Sequence, residues 1–195
     1  MTLALAGDPV FDEASWRAWH PMLSSRAPGV AVALPLADRL RLVVLDLAAR
    51  DGLGAEVIRQ VSHPAIALTA ADLADQLVDG HLGHARCSSV AIADLLPGGR
   101  LELQVRAAPS AVLLSPGRSA RLLPGASSGP SGRLERIDPG DVLVLCSASF
   151  LEDPPAVLGT VRRTPPDDAD LLYLRQVLRV SAHPGATASV TIPPL

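Results

Sequence analysis

Lysine and asparagine are absent from this chain, and all seventeen of its basic residues are arginine. That absence, beside abundant alanine, proline and glycine, marks a compositional bias that weakens any motif resting on small residues alone. Aromatic residues make up only 3% of the sequence, so the core has to be built from Leu, Val, Ile and Ala. The formal net charge is −3 and the arginines are scattered rather than striped, which leaves no electrostatic footprint for nucleic acid. The two cysteines, Cys87 and Cys146, lie far apart and form no CxxC. They fit buried small hydrophobes in a reducing compartment better than a disulfide framework. No run of eighteen apolar residues occurs, and no basic-then-apolar leader with a cleavage site. A membrane span and secretion are both unexpected, and a cytoplasmic location is the expectation.

What is present points to one compact domain. Of 195 residues, 48% are hydrophobic and 19% charged, enough apolar material for a single core. Residues 42–56, LVVLDLAARDGLGAE, stand out: an apolar run ends on Asp46, and a small-residue turn leads into a helix. Residues 30–36 and 40–46 read as a hairpin, the second strand apolar enough to be buried on both faces. A first helix carries Val57, Ile58 and Val61. A second starts at Thr69 with Asp72 as a capping-box partner and continues through Leu73, Leu77 and Val78. Residues 88–95 and 101–106 form a further hairpin, with 111–115 and 120–123 continuing as a meander. Residues 124–132, PGASSGPSG, form a loop, 138–141 a turn and 142–146 a strand. A third helix, capped by Asp167 and Asp168, presents Leu171, Leu174, Arg175 and Leu178 along one side, and 186–192 are the last strand. Residues 1–27 read as an N-terminal extension whose short helix carries Trp16 and Trp19, and 28–195 as the domain proper. Consecutive hairpins and grouped helices favour a layered α+β sandwich over a doubly wound sheet.

Five stretches in this order resemble the metal-dependent (type 2C, PPM) Ser/Thr protein phosphatases, in particular the bacterial branch of the stage II sporulation E phosphatase and RsbX. They are VVLDLAARDGLGAE (43–56), CSSVAIADL (87–95), RAAPSAVLLSPG (106–117), DPGDVLVLCSASFLE (138–152) and PGATASVTI (184–192). The resemblance implies a four-layer α-β-β-α sandwich of two mainly antiparallel sheets flanked by helices. It also implies a site where aspartates hold two divalent metals, and partners in sigma-factor partner switching: an anti-anti-sigma (STAS-like) protein or a stressosome component.

The departures from that family decide the functional expectation. Mg²⁺ and Mn²⁺ need several oxygen ligands, mostly carboxylates. Asp46 matches one family aspartate. The first-strand aspartate would fall near Gly29 and Val30, where no acid stands. Ala148 replaces the aspartate of the Thr-Asp-Gly site, and Pro184-Gly185 replaces the terminal acidic pair. The turn after Asp46, LAARDG, is one residue longer than the family's small-residue turn and carries Arg50 and Asp51. The expectation is therefore a phosphatase-like regulatory module, catalytically impaired and without a cofactor. The alternative is an active phosphatase using Mn or Mg through Asp46, Asp51 and a further acid such as Asp94 or Asp141.

Plainer readings stand beside these. Asp46 can serve as a strand-end acid accepting N–H bonds from the turn at 48–52, and Asp51-Gly52 as an ordinary turn. His81, His84 and Cys87 have spacing open to zinc but lack a fourth ligand. Asp167, Asp168 and Asp170 read as a helix cap rather than a metal cluster. Ser88, Ser89, Ser147 and Ser149 have no neighbouring His–Asp pattern that would make one a nucleophile.

Overall fold

The computed structural model describes residues 19–48, 58–59, 61–62, 68–79, 86–107, 110–123 and 133–193. Among these residues, ten strands form two five-stranded sheets. The first has the order β1 (Met22–Arg26), β10 (Gly185–Thr191), β9 (Val142–Cys146), β6 (Ser110–Leu114), β7 (Arg121–Leu123). The second has the order β2 (Gly29–Pro35), β3 (Leu40–Leu47), β4 (Cys87–Leu96), β5 (Arg100–Arg106), β8 (Arg133–Arg136). Every pairing is antiparallel.

Period-2 alternation explains the layering. Along β3, Leu42 and Val44 enter the core between the sheets, while Val43 and Leu45 face outward under α1 (Ala70–Asp79) with Leu73, Ala74 and Leu77. Along β9, Leu143 and Leu145 face inward. Val142, Val144 and Cys146 face outward against Phe150 of α2 (Ala148–Glu152), Leu158 of α3 (Ala156–Arg163), and Leu171, Leu174 and Leu178 of α4 (Asp168–Val180). The expected α-β-β-α sandwich is observed. Each buried Leu in it contributes about 2 kcal/mol relative to an exposed one.

Both expected helix caps form. Thr69 Oγ1 accepts from the Asp72 N–H at 3.1 Å. Asp167 and Asp170 exchange side-chain-to-backbone bonds at 2.8 and 3.1 Å, a complete capping box. Asp168 and Asp170 lie in the first turn of α4, where the helix dipole favours negative charge.

Three expectations need correction. Residues 22–26 were assigned to an extension, yet they are β1, an edge strand paired with β10 over the register Met22↔Ser189 to Arg26↔Gly185. Its MLSSR sequence has too little apolar alternation to announce a strand. Strands 111–115 and 120–123 do not extend the β4–β5 hairpin. The chain changes sheets after β5, and β6 pairs with β7 and β9. The polar strand β8 and the short helices α2 and α3 escaped the sequence reading, because four to eight residues carry too little periodicity. Trp16 lies outside the described residues, whereas Trp19 packs into the intersheet core.

Two arginines pin layers together. Arg41 is bidentate to Asp94 on the neighbouring strand, at 2.6 Å for both bonds, and reaches the Leu68 carbonyl before α1 at 2.9 Å. Arg175 of α4 donates to Thr191 Oγ1 and to the His20 carbonyl, tying the helix to β10 and to the chain entering β1. Burial lowers the pKa of this guanidinium.

Candidate functional site

Asp46 is the next-to-last residue of β3. The alternation that sends Leu42 and Val44 inward also turns its carboxylate toward the gap between the sheets. Two backbones close on it there. Gly29 is its cross-strand partner. Gly185, with φ at 97°, begins β10 directly beneath. A Cβ on Gly29 would lie 2.2 Å from the Gly185 carbonyl carbon, and a Cβ on Gly185 would lie 2.4 Å from the Phe150 nitrogen. Glycine at both positions permits this approach.

The β9–α2 junction supplies the rest. Ser147 caps α2, its hydroxyl accepting from the Phe150 N–H at 3.4 Å and the Ala186 N–H at 2.9 Å. This holds the next residues over Asp46. Ser149 donates to Asp46 twice, from Oγ to Oδ1 at 2.5 Å and from its backbone N–H to Oδ2 at 2.8 Å. Ser89 of β4, opposite Asp46 in register, donates from Oγ to Oδ2 at 2.9 Å. Ser89 Oγ also accepts a long bond, 3.5 Å, from the Ala148 N–H. Asp46 is only 2% exposed. Its charge is offset by three hydrogen-bond donors, each bond to a charged group contributing about 1.5–3 kcal/mol.

The sequence-derived positions fall out unevenly. Asp46, Ala148 and Gly185 converge. Val30 adjoins Gly29, but its side chain packs in the outer core with Val32, Val43 and Leu45. Pro184 is exposed beside Gly185, and Asp51 lies outside the described residues. Asp94 and Asp141, the further acids considered for an active site, are elsewhere: Asp94 faces the α1 layer in the pair with Arg41, and Asp141 precedes β9 at its opposite end. Among the described residues the donors to Asp46 come from β4 and the β9–α2 junction; residues 49–52 of the turn to which the sequence reading looked lie outside the described residues. Ser89 and Ser149 carried no catalytic spacing; the available signal was a serine within three residues of the edge of each apolar run.

A two-metal centre does not fit this donor set. Among the described residues no group of three His, Cys, Asp or Glu side chains converges. Serine hydroxyls and N–H groups surround Asp46, the one carboxylate at the convergence among the described residues, and donors aimed at a carboxylate compete with a cation for the same lone pairs. Cys87 is no better a zinc ligand: burial, and then the charge of Asp46, push its thiol up to about 12, away from the thiolate that zinc requires. His81 and His84 lie outside the described residues.

No protein-family model and no curated protein sequence matches the chain. Solved structures do. The RsbU and RsbW domains of Rv1364c from Mycobacterium tuberculosis align with a TM-score of 0.60 at 20% identity, covering 90% of this chain and 62% of that one, so the chain spans about three fifths of that structure. RsbX in complex with magnesium aligns with a TM-score of 0.60 at 11% identity, covering 87% and 92%. The SiaA-PP2C domain of Pseudomonas aeruginosa aligns with a TM-score of 0.57 at 15% identity, covering 92% and 94%. The likeness is one of fold: this chain has the two-sheet α-β-β-α architecture of the bacterial PP2C-type serine phosphatase domains.

Proposed function

We propose that the domain is a regulatory binding module on a phosphatase scaffold, with metal-dependent phosphate hydrolysis lost or severely impaired. The observation that carries this reading is the environment of Asp46. Its lone pairs are engaged by Ser89 Oγ, Ser149 Oγ and the Ser149 N–H. A carboxylate so held stabilises a junction between two sheets and a helix instead of bridging cations. Metal-dependent hydrolysis needs metal-bound water and a cationic clamp on the phosphoryl group, and one serine-bound carboxylate supplies neither.

The fold neighbours support the partner class. One of them carries RsbU and RsbW domains in one structure, and another comes from work on the bacterial stressosome. By that analogy the expected partner is an anti-anti-sigma (STAS-like) regulator or a stressosome component, bound without turnover. No helix among the described residues is long and apolar enough to cross a membrane.

The test pairs an assay with a binding measurement. With Mn²⁺ or Mg²⁺ present, the protein is expected to release no phosphate from a phosphoserine peptide above a no-enzyme control. It is also expected to retain a STAS-type partner in a pull-down. Mn²⁺-dependent turnover that vanishes in Asp46→Ala would falsify the reading.

A further inference from the structure

We propose that the seam between α4 and the β1–β10 edge of the first sheet is a carboxylate-binding site anchored by the Arg175 guanidinium. Buried charges are ordinarily paired with an opposite charge. Arg175 is only 8% exposed, yet its bonds go to neutral acceptors: Nη1 to Thr191 Oγ1 at 2.6 Å and Nη2 to the His20 carbonyl at 3.0 Å. Its Nε proton has no acceptor. Among the described residues no carboxylate pairs with it, and no neighbouring charge opposes the lowering of its pKa by burial. Arg41 shows what is missing. Its Nε and Nη2 together grip Asp94, at 2.6 Å for both bonds. The same edge of the Arg175 guanidinium holds only a peptide carbonyl.

Ser189 is the independent sign of a ligand. The residue is 1% exposed and its hydroxyl has no hydrogen-bond partner. Ala188 and Val190 enter the intersheet core, so the alternation of β10 turns Ser189 and Thr191 to the α4 side. There they stand one pleat repeat, ~7 Å, apart. Arg175 already reaches Thr191, so an unpaired N–H and an unpaired O–H share one layer. Both donate and both lack an acceptor. A planar two-oxygen monoanion supplies acceptors and cancels the single positive charge. A bridging water supplies an acceptor and leaves the charge uncompensated.

The flank around Arg175 is poor in acid. Leu172, Arg175 and Arg179 follow one another on this side of α4, and Arg179 is exposed without an acid partner among the described residues. Asp168 stands two helical turns before Arg175, about 10 Å along the axis. β1 and β10 contain no acidic residue. The site is also remote from Asp46, because β10 runs from Gly185, beside Asp46, to Thr191, a span of roughly 20 Å. The inference does not depend on how Asp46 is read.

The test titrates sodium acetate into the full chain at constant ionic strength. It follows the side-chain Nε–H resonance of Arg175, assigned by its loss in Arg175→Lys, together with the Ser189 and Thr191 amides. Wild type is expected to show a saturable shift at all three. Ser189→Ala should bind roughly fivefold more weakly, and Arg118→Ala, on the β6–β7 turn, like wild type. A second titration uses the blocked peptide acetyl-Ala-Glu-Ala-amide, with its Gln counterpart as control. Tighter binding of the Glu peptide than of acetate assigns the carboxylate to an acidic side chain of a polypeptide partner. Equal or weaker binding assigns it to a small free carboxylate. Either result supports carboxylate recognition. Absence of saturable shifts with both probes would leave a buried water as the occupant and overturn the proposal. An equal response to the Gln peptide, or undiminished binding by Ser189→Ala, would overturn it too.

Discussion

At the scale of single residues, Asp46 joins three pieces of chain that are distant in sequence. Replacing it with alanine leaves the Ser149 N–H without its acceptor and strands the hydroxyls of Ser89 and Ser149. Asp46→Ala should therefore lower stability by about 3 kcal/mol in urea denaturation, and Ser89→Ala by about 1 kcal/mol. A role in packing also predicts that millimolar Mn²⁺ leaves the wild-type melting temperature unchanged, whereas a bound metal would raise it. Cys87 gives the pH dependence. Its thiol is raised from 9.0 to about 12, so the folded state holds this proton more tightly than the unfolded chain. The resulting stabilisation is complete below about pH 9 and is lost as pH climbs toward 12. Cys87→Ala should flatten stability over that interval, measured by denaturant midpoints from pH 8 to 11. Asp46 was legible as a candidate because an acid ending an apolar run breaks its pattern. Its serine partners were not, since nothing local in CSS or SAS announces a carboxylate more than forty residues upstream.

At the scale of elements, the β9–α2 junction is the mechanical centre. Ser147 terminates a strand, caps a helix and receives the first N–H of β10 beyond Gly185. Ser147→Ala removes an N-cap and a buried acceptor together, and should cost about 2 kcal/mol, with the loss visible as faster amide exchange at Phe150 and Ala186. Legibility followed burial. Strands β3 and β9 were plain because both their faces are covered, one by the opposite sheet and one by helices, giving continuous apolar runs. Strands β1 and β8 lie at sheet edges and can be short and polar, so their sequences resemble loops. The sheet change after β5 was invisible for another reason: a crossing between sheets and a hairpin within one look alike in sequence when both are short.

At the scale of the whole molecule, three hydrophobic layers stack around two sheets, and one ion pair crosses the layer beneath α1. Arg41 and Asp94 are almost wholly buried. Asp94→Ala leaves a guanidinium uncompensated and should cost about 3–5 kcal/mol, whereas Arg41→Met/Asp94→Leu should recover most of it in thermal melts. A layered α+β sandwich was readable from the order of elements, and its four layers from the family resemblance; which residues meet at its ends was not, because long-range register decides that. One consequence concerns what the junction admits. An aspartate placed at 185 would set its Cβ 2.4 Å from the Phe150 nitrogen and 2.7 Å from Ser147 Oγ, on a backbone conformation that L-residues seldom adopt. The close approach of Gly29 to the same peptide shuts the other side. An acid at 185 alone therefore meets a steric barrier at the junction before it can meet any cation. The contact between two glycines acts as a lock: neither position admits a side chain unless the backbone of its neighbour moves.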